Sequence, residues 1–262
     1  MIQQDYILAC VAGLEVAVFG ANENPGKPAV IVTHGRGGAA PHVYQYCRDL
    51  RDLGLIAIAL DQRNHGRRLV DILRNGGWDR THAADMYGII IGTAMDIRTI
   101  IDMLPATLGI DTRRVGVTGG SLGGHVTLMA MAHDPRIAAG AALIGSGDFL
   151  RLMELRAAVN NCPPDQFDQF FPASLREAVK RYDPINNPAA FADRPLLMTN
   201  GDADNLVQLE CNQRFEAAVR PHYTKPGRLK LSICNGVGHA IPPEMWNEGK
   251  EWLRRAMKGN DE

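Results

Sequence analysis

An apolar run rich in Val, Val115 to Thr118, feeds directly into Gly119-Gly120-Ser121-Leu122-Gly123, and a helix-compatible segment follows to about residue 132. The pattern is G-x-S-x-G in a strand–turn–helix setting, and it restricts the surrounding chain tightly. A serine presented on so sharp a turn is held in strained backbone geometry. Strand and helix must then pack nearly against each other. The positions two before and two after Ser121 have no room for a side chain, and Gly119 and Gly123 meet that condition. A glycine-rich turn without chemistry would carry the same letters, so the rest of the chain has to decide.

Short apolar runs alternate with longer helical periodicities, which predicts a parallel sheet with crossover helices. Residues 14–19 read as an early antiparallel strand, and residues 29–33 and 55–60 as strands buried on both faces. Val43, Tyr46, Cys47, Leu50 and Leu53 fall at helical spacing between them. After a loop from about 62 to 84, a long stripe from Met86 to Leu104 predicts a helix that Pro105 ends. Strands at 114–118 and 138–144 flank a buried helix at 122–132. From about 148 to 194 the alternation breaks down into a helical insertion. Strands at 195–199 and 229–234, with helices at 207–219 and from about 243, complete the chain. The expected architecture is α/β: a single domain over 1–262, a mostly parallel central sheet with helices on both faces, and a small helical cap at about 148–194.

The bulk properties narrow the partners. Net charge is −1, with no basic stripe or acidic tail, which argues against nucleic acid and membrane surfaces. No apolar run reaches the length of a membrane span, and no signal peptide is visible at Met1. The five scattered cysteines lack C-x-x-C spacing and read as reduced core thiols, so a cytoplasmic protein is expected. No H-E-x-x-H spacing is present, and no metal or cofactor is expected.

A serine hydroxyl needs a base, and the base needs an orienting carboxylate. In an elbow architecture they follow in the order serine, acid, histidine. His239 lies in a loop between the last strand and the last helix, whereas His222 sits in a polar, proline-flanked linker. His239 is therefore the expected base. For the acid, Asp204 sits in the turn before a helix, where it can reach the histidine loop. Asp202, nearer the strand end, is the next candidate and fits better as a brace; Asp148 is a third. The tetrahedral intermediate needs two preorganised donors, expected from the backbone N–H groups of Leu122 and Arg36. The Arg36 side chain is expected to face solvent. Phe149 and Phe170, with neighbouring aromatics of the insertion, are candidates for an apolar acyl pocket or for the insertion's own core.

Gly35-x-Gly37-x-x-Ala40 after a strand, with Asp61 ending the next, also fits a loose dinucleotide fingerprint and keeps a nicotinamide or flavin protein as a rival. That reading leaves Ser121, Asp204 and His239 unexplained.

His34-Gly35-Arg36-Gly37-Gly38, residues 61–66, the serine elbow, residues 201–207 and Gly238-His239 together resemble the α/β-hydrolase superfamily, in its order and over nearly the whole chain. Within it the chain is most similar to compact bacterial serine esterases related to prolyl oligopeptidase and dienelactone hydrolase. The resemblance implies Ser121 as nucleophile, Asp204 as acid, His239 as base and the amides of Arg36 and Leu122 as oxyanion hole. It places Asp61, Arg63 and His65 in a structural turn. Dienelactone hydrolases carry cysteine at the elbow, which points away from that activity, and the β-propeller of the peptidase members has no counterpart here. The expected activity is a serine carboxylesterase on small acyl esters. Thioesterase, lactonase, amidase or peptidase chemistry with the same triad, and a silent binding module, are the alternatives.

Overall fold

The chain is described by a computed structural model over residues 5–21, 26–69 and 83–259. Most of the 62–84 loop lies outside the described residues. Among the described residues eight strands form one sheet: β1 (Ile7–Val11), β2 (Leu14–Phe19), β3 (Ala29–Thr33), β4 (Ile56–Leu60), β5 (Val115–Gly120), β6 (Ile137–Leu143), β7 (Leu196–Gly201) and β8 (Leu229–Cys234). Their spatial order is β1-β2-β4-β3-β5-β6-β7-β8. The β1–β2 and β2–β4 pairs are antiparallel and all others are parallel.

β1 was not anticipated. Its outward positions, Leu8 and Cys10, are exposed yet apolar, so the strand shows no polar alternation to read. It turns back into β2 through Ala12 and Gly13, both at positive φ (54° and 76°).

Side chains alternate across the sheet and divide the core in two. Val30 and Val32 of β3, with Ala57 and Ala59 of β4, pack under α1 (Tyr44–Asp52) and the C-terminal helix α8 (Pro243–Lys258). Ile31 and Ile58 point the other way, under α2 (Ala83–Leu108) and α3 (Leu122–His133). The helix after the elbow, α3, is buried all round from Leu122 to Ala132, which holds its N-terminus rigidly against the sheet.

Pro105 does not end α2; the helix runs on to Leu108. A proline this near a C-terminus removes only its own N–H bond to the preceding turn. The stop comes at Gly109, whose φ of 65° lets its N–H reach the Pro105 carbonyl (3.1 Å).

Between β6 and β7 the chain forms α4 (Phe149–Val159), α5 (Pro164–Phe170) and α6 (Ala173–Tyr182), then two short 3-10 turns. Asp183 caps the start of α4, accepting the N–H groups of Phe149 (2.8 Å) and Leu150 (3.3 Å). Burial pushes its carboxyl well above the usual range, against those two bonds. Beyond the sheet, α7 (Leu209–Val219) buries Cys211, Phe215 and Val219. Among the described residues no helix is long and apolar enough to cross a membrane.

Candidate active site

β5 runs two residues further than its β propensity suggests. Gly119 and Gly120 are poor strand formers, but they pair with Ala142 and Leu143 of β6. The chain then reverses at Ser121, whose φ of 57° and ψ of −115° are unusual for a side-chain-bearing residue. The turn is held from both sides. Ser121 N–H donates to Leu143 O (2.9 Å), and Ser121 O accepts from Gly124 (2.8 Å) and His125 (3.1 Å).

The close approach expected at Gly119 and Gly123 is present. A Cβ on Gly123 would lie 2.6 Å from Thr33 O and 2.9 Å from His34 O, and one on Gly119 would lie 2.6 Å from Thr33 O. Those neighbours are backbone of the end of β3 and of the loop after it, and cannot yield cheaply. Gly123→Ala is therefore expected to destabilise the protein by roughly 2–4 kcal/mol. Urea unfolding would measure it, and a midpoint equal to the parent's would mean that the elbow tolerates a side chain there.

Ser121, Asp204 and His239, which stand far apart in sequence, meet at the C-terminal edge of the sheet. His239 Nε2 is 2.8 Å from Ser121 Oγ, and His239 Nδ1 is 2.8 Å from Asp204 Oδ2. The other Asp204 oxygen accepts the N–H groups of Leu206 (2.8 Å) and Val207 (2.9 Å), so no rotation is left to the carboxylate. Burial alone would raise the Asp204 pKa. The hydrogen bond to His239 and those from the Val207 and Leu206 amides outweigh it and hold the group below the usual carboxylate range.

The other acid candidates are engaged elsewhere. Asp202 accepts Gly236 N–H (2.6 Å) and so ties the acid loop to the histidine loop. Asp148 caps α4 at Arg151 (3.2 Å) and bonds Arg214 Nε (2.7 Å).

The loop after β3 faces the elbow: a Cβ on Gly35 would lie 3.8 Å from Ser121 Cβ. Arg36 follows on that loop. Leu122 is the first residue of α3, so its N–H has no carbonyl a turn earlier in the helix. Arg36 and Leu122 line the same cleft as Ser121. His34 fixes the loop from behind. Its Nδ1–H donates to Gly35 O (2.8 Å), and its Nε2 accepts Gln62 N–H (3.1 Å). Gln62 Nε2 donates back to His34 O. Burial depresses the His34 pKa to about 4, against the pull of the Gly35 carbonyl, so the neutral tautomer that makes both bonds persists at neutral pH.

Asp61, Arg63 and His65 are structural, as the resemblance implies. Asp61 accepts Ala40 N–H (2.6 Å) and Arg67 N–H (2.8 Å), and Arg63 forks onto Asp96 (2.9 and 3.0 Å). With both Asp61 oxygens held by main-chain amides, the residue that the dinucleotide rival needs for a ribose is taken.

A cleft of about 770 Å³ opens over Ser121 and His239. Met86, Ile144, Leu206, Val207 and Ile241 give it apolar walls, while Arg36 and Arg156 give it charge. Phe149 is not among the residues lining this cleft. It is 2 % exposed and packs against Tyr87 (4.6 Å between ring centroids) and Phe171 (6.3 Å). A large aromatic at the first position of a capped helix completes the core beneath it, so Phe149 belongs to the insertion's interior. The side chain of Phe170 lies outside the described residues. Arg36 is exposed, as expected, but stands at the cleft.

Three contributors were missed by the sequence reading. His34 was quoted only as part of a motif, and nothing in the letters announces its bond to Gln62. Asn200, at the end of β7, donates to Val207 O (2.9 Å) and braces the acid loop, but an asparagine at a strand end reads as an ordinary loop residue. Arg156 looks like one more charge on an amphipathic helix, and only the folded insertion brings it to the cleft.

The prolyl oligopeptidase family model matches residues 91–258, a stretch that holds Ser121, Asp204 and His239. Esterase YjfP of Escherichia coli (strain K12) is 24% identical over 266 residues, covering 95% of this chain and 97% of that protein. Among solved structures, TT1662 from Thermus thermophilus superposes with a TM-score of 0.77 at 23% identity, over 97% of this chain and 98% of that one. The Pyrococcus furiosus esterase Pf2001 gives 0.64 at 19%, over 96% and 92%. The architecture they share is the α/β-hydrolase fold.

Proposed function

The chain belongs to the prolyl oligopeptidase family, and on that footing we propose that it is a serine carboxylesterase that hydrolyses small acyl esters through an acyl-enzyme. One observation carries the reading: the continuous chain of two 2.8 Å hydrogen bonds from Ser121 through His239 to Asp204. The esterases among its relatives support the choice of ester over amide.

In this reading Ser121 Oγ bonds to the ester carbonyl carbon while its proton passes to His239 Nε2. Asp204 holds the imidazole by Nδ1–H and stabilises the imidazolium. The carbonyl oxygen becomes an oxyanion between the Arg36 and Leu122 amides. As the C–O bond to the alcohol breaks, His239 returns the proton to the leaving oxygen. Water then attacks the acyl-Ser121, giving its proton to His239, and the collapse restores the Ser121 hydroxyl and frees the acid.

The test is a fluorophosphonate probe followed by a panel of p-nitrophenyl esters. Labelling at Ser121 is expected, with loss of ester hydrolysis in step with labelling. Hydrolysis that continues in fully labelled protein would overturn the assignment.

A further inference from the structure

Arg156 is the feature of the cleft that the triad does not use. It is carried by α4, is half-buried, and lines the same cleft as Ser121 and His239. Its backbone carbonyl accepts from Asn160, but its guanidinium makes no hydrogen bond or ion pair with any described residue. Arg151, on the same helix, is by contrast bonded to Glu210 (2.7 Å) and Glu154 (3.1 Å). A guanidinium drawn out of water without a counter-ion is costly, and such groups ordinarily find one.

The charges that Arg156 feels are Arg36, which repels it, and Asp204, which attracts it. Burial is the larger influence, and together with Arg36 it pulls the guanidinium below its usual range. Asp204 cannot serve as its partner in a hydrogen bond, since one oxygen is on His239 and the other on two amides. The cleft thus presents two arginines beside apolar walls, with its carboxylate already committed to the histidine. A guanidinium's planar fork matches a carboxylate better than any other small anion-binding side chain does.

We propose that the natural substrate is an ester that also carries an ionised carboxylate, which Arg156 binds while the apolar walls take the short hydrocarbon between the two groups. This rests on the esterase reading above and specifies its substrate class. It also replaces the expectation of an apolar acyl pocket at Phe149, because that ring is buried in the insertion and does not line the cleft.

Two substrate pairs test it. Mono-p-nitrophenyl glutarate against p-nitrophenyl butyrate places the charge on the acyl side, and 4-acetoxybenzoate against phenyl acetate places it on the leaving side. In the parent, the charged member of one pair is expected to have the higher kcat/KM. In Arg156→Gln the charged-to-neutral ratio for that pair should fall about tenfold or more, the range of one charge-assisted hydrogen bond, and Arg156→Lys should restore part of it. Glutarate, as a competitive inhibitor of butyrate ester hydrolysis, should weaken in Arg156→Gln by a similar factor. Charged-to-neutral ratios and glutarate inhibition unchanged from parent to Arg156→Gln, with Ser121 still labelled and neutral esters still cleaved, would overturn this inference and leave the esterase standing. No turnover of any ester and no labelling would overturn the esterase reading itself.

Discussion

Replacing Ser121 by alanine is expected to lower kcat/KM for p-nitrophenyl acetate by about 10^5 to 10^6-fold, with little change in thermal stability. In the proposed mechanism the size follows from cooperation: once the nucleophile is gone, the base and the acid have nothing to activate. What survives is the contribution of the oxyanion donors and of binding, roughly 10^3 to 10^4 over water. Stability should hold because the turn is fastened by main-chain bonds, from Ser121 N–H to Leu143 O and from Gly124 and His125 to Ser121 O. Alanine keeps all three. It also keeps the strain, since a Cβ at a φ of 57° is as unwelcome in alanine as in serine. Ser121→Gly makes the contrast: equally inactive, but more stable by about 1 kcal/mol as the left-handed conformation ceases to cost. Steady-state kinetics and thermal melts of the two variants would check both parts. Purified Ser121→Ala that hydrolyses the ester at the parent rate would remove Ser121 from the mechanism.

Much of this site was legible because its chemistry is written in backbone terms. A glycine two residues to either side of a serine, at a strand-to-helix turn, follows from close packing, and the structure places Thr33 O against both positions. The order of Ser121, Asp204 and His239, after β5, β7 and β8, was readable for the same reason, since the sheet's C-terminal edge gathers whatever follows each strand. Phe149 shows where such reading fails. Aromatic residues in an insertion next to a catalytic loop fit a pocket and a core equally well, and what separates them is whether Tyr87 and Phe171 fill the space around the ring. Pro105 failed for a local reason, because its penalty depends on how many helical bonds lie beyond it and only Gly109 terminates the turn. Strand ends were underestimated where pairing overrides propensity: Asn200 and Gly201 extend β7 by bridging to Ile233 and Cys234. That extension is what sets the acid loop at the height of His239.

The two neighbouring carboxylates of that loop give the second large effect. Asp204→Asn is expected to reduce kcat by about 10^4-fold, while Asp202→Asn should cost less than about tenfold. The asymmetry comes from what each oxygen touches. Asp204 Oδ1 accepts two amide protons, so an asparagine there must keep its carbonyl on that side and turn its NH2 toward His239. A donor then faces His239 Nδ1, which forces the ring into the tautomer with its proton on Nε2. That nitrogen can no longer take the proton of Ser121 Oγ, 2.8 Å away. Asp202 makes no hydrogen bond to the ring. Its bond to Gly236 N–H positions the loop, and an asparagine carbonyl can accept the same proton. The pH dependence separates the roles further. Because the Asp204 carboxyl is held below its usual range, its ionised form contributes stability above its unfolded pKa and loses it as pH falls through the folded value. The stability gap between parent and Asp204→Asn should therefore narrow on acidification. A larger kcat loss in Asp202→Asn than in Asp204→Asn would move the acid of the triad two residues upstream.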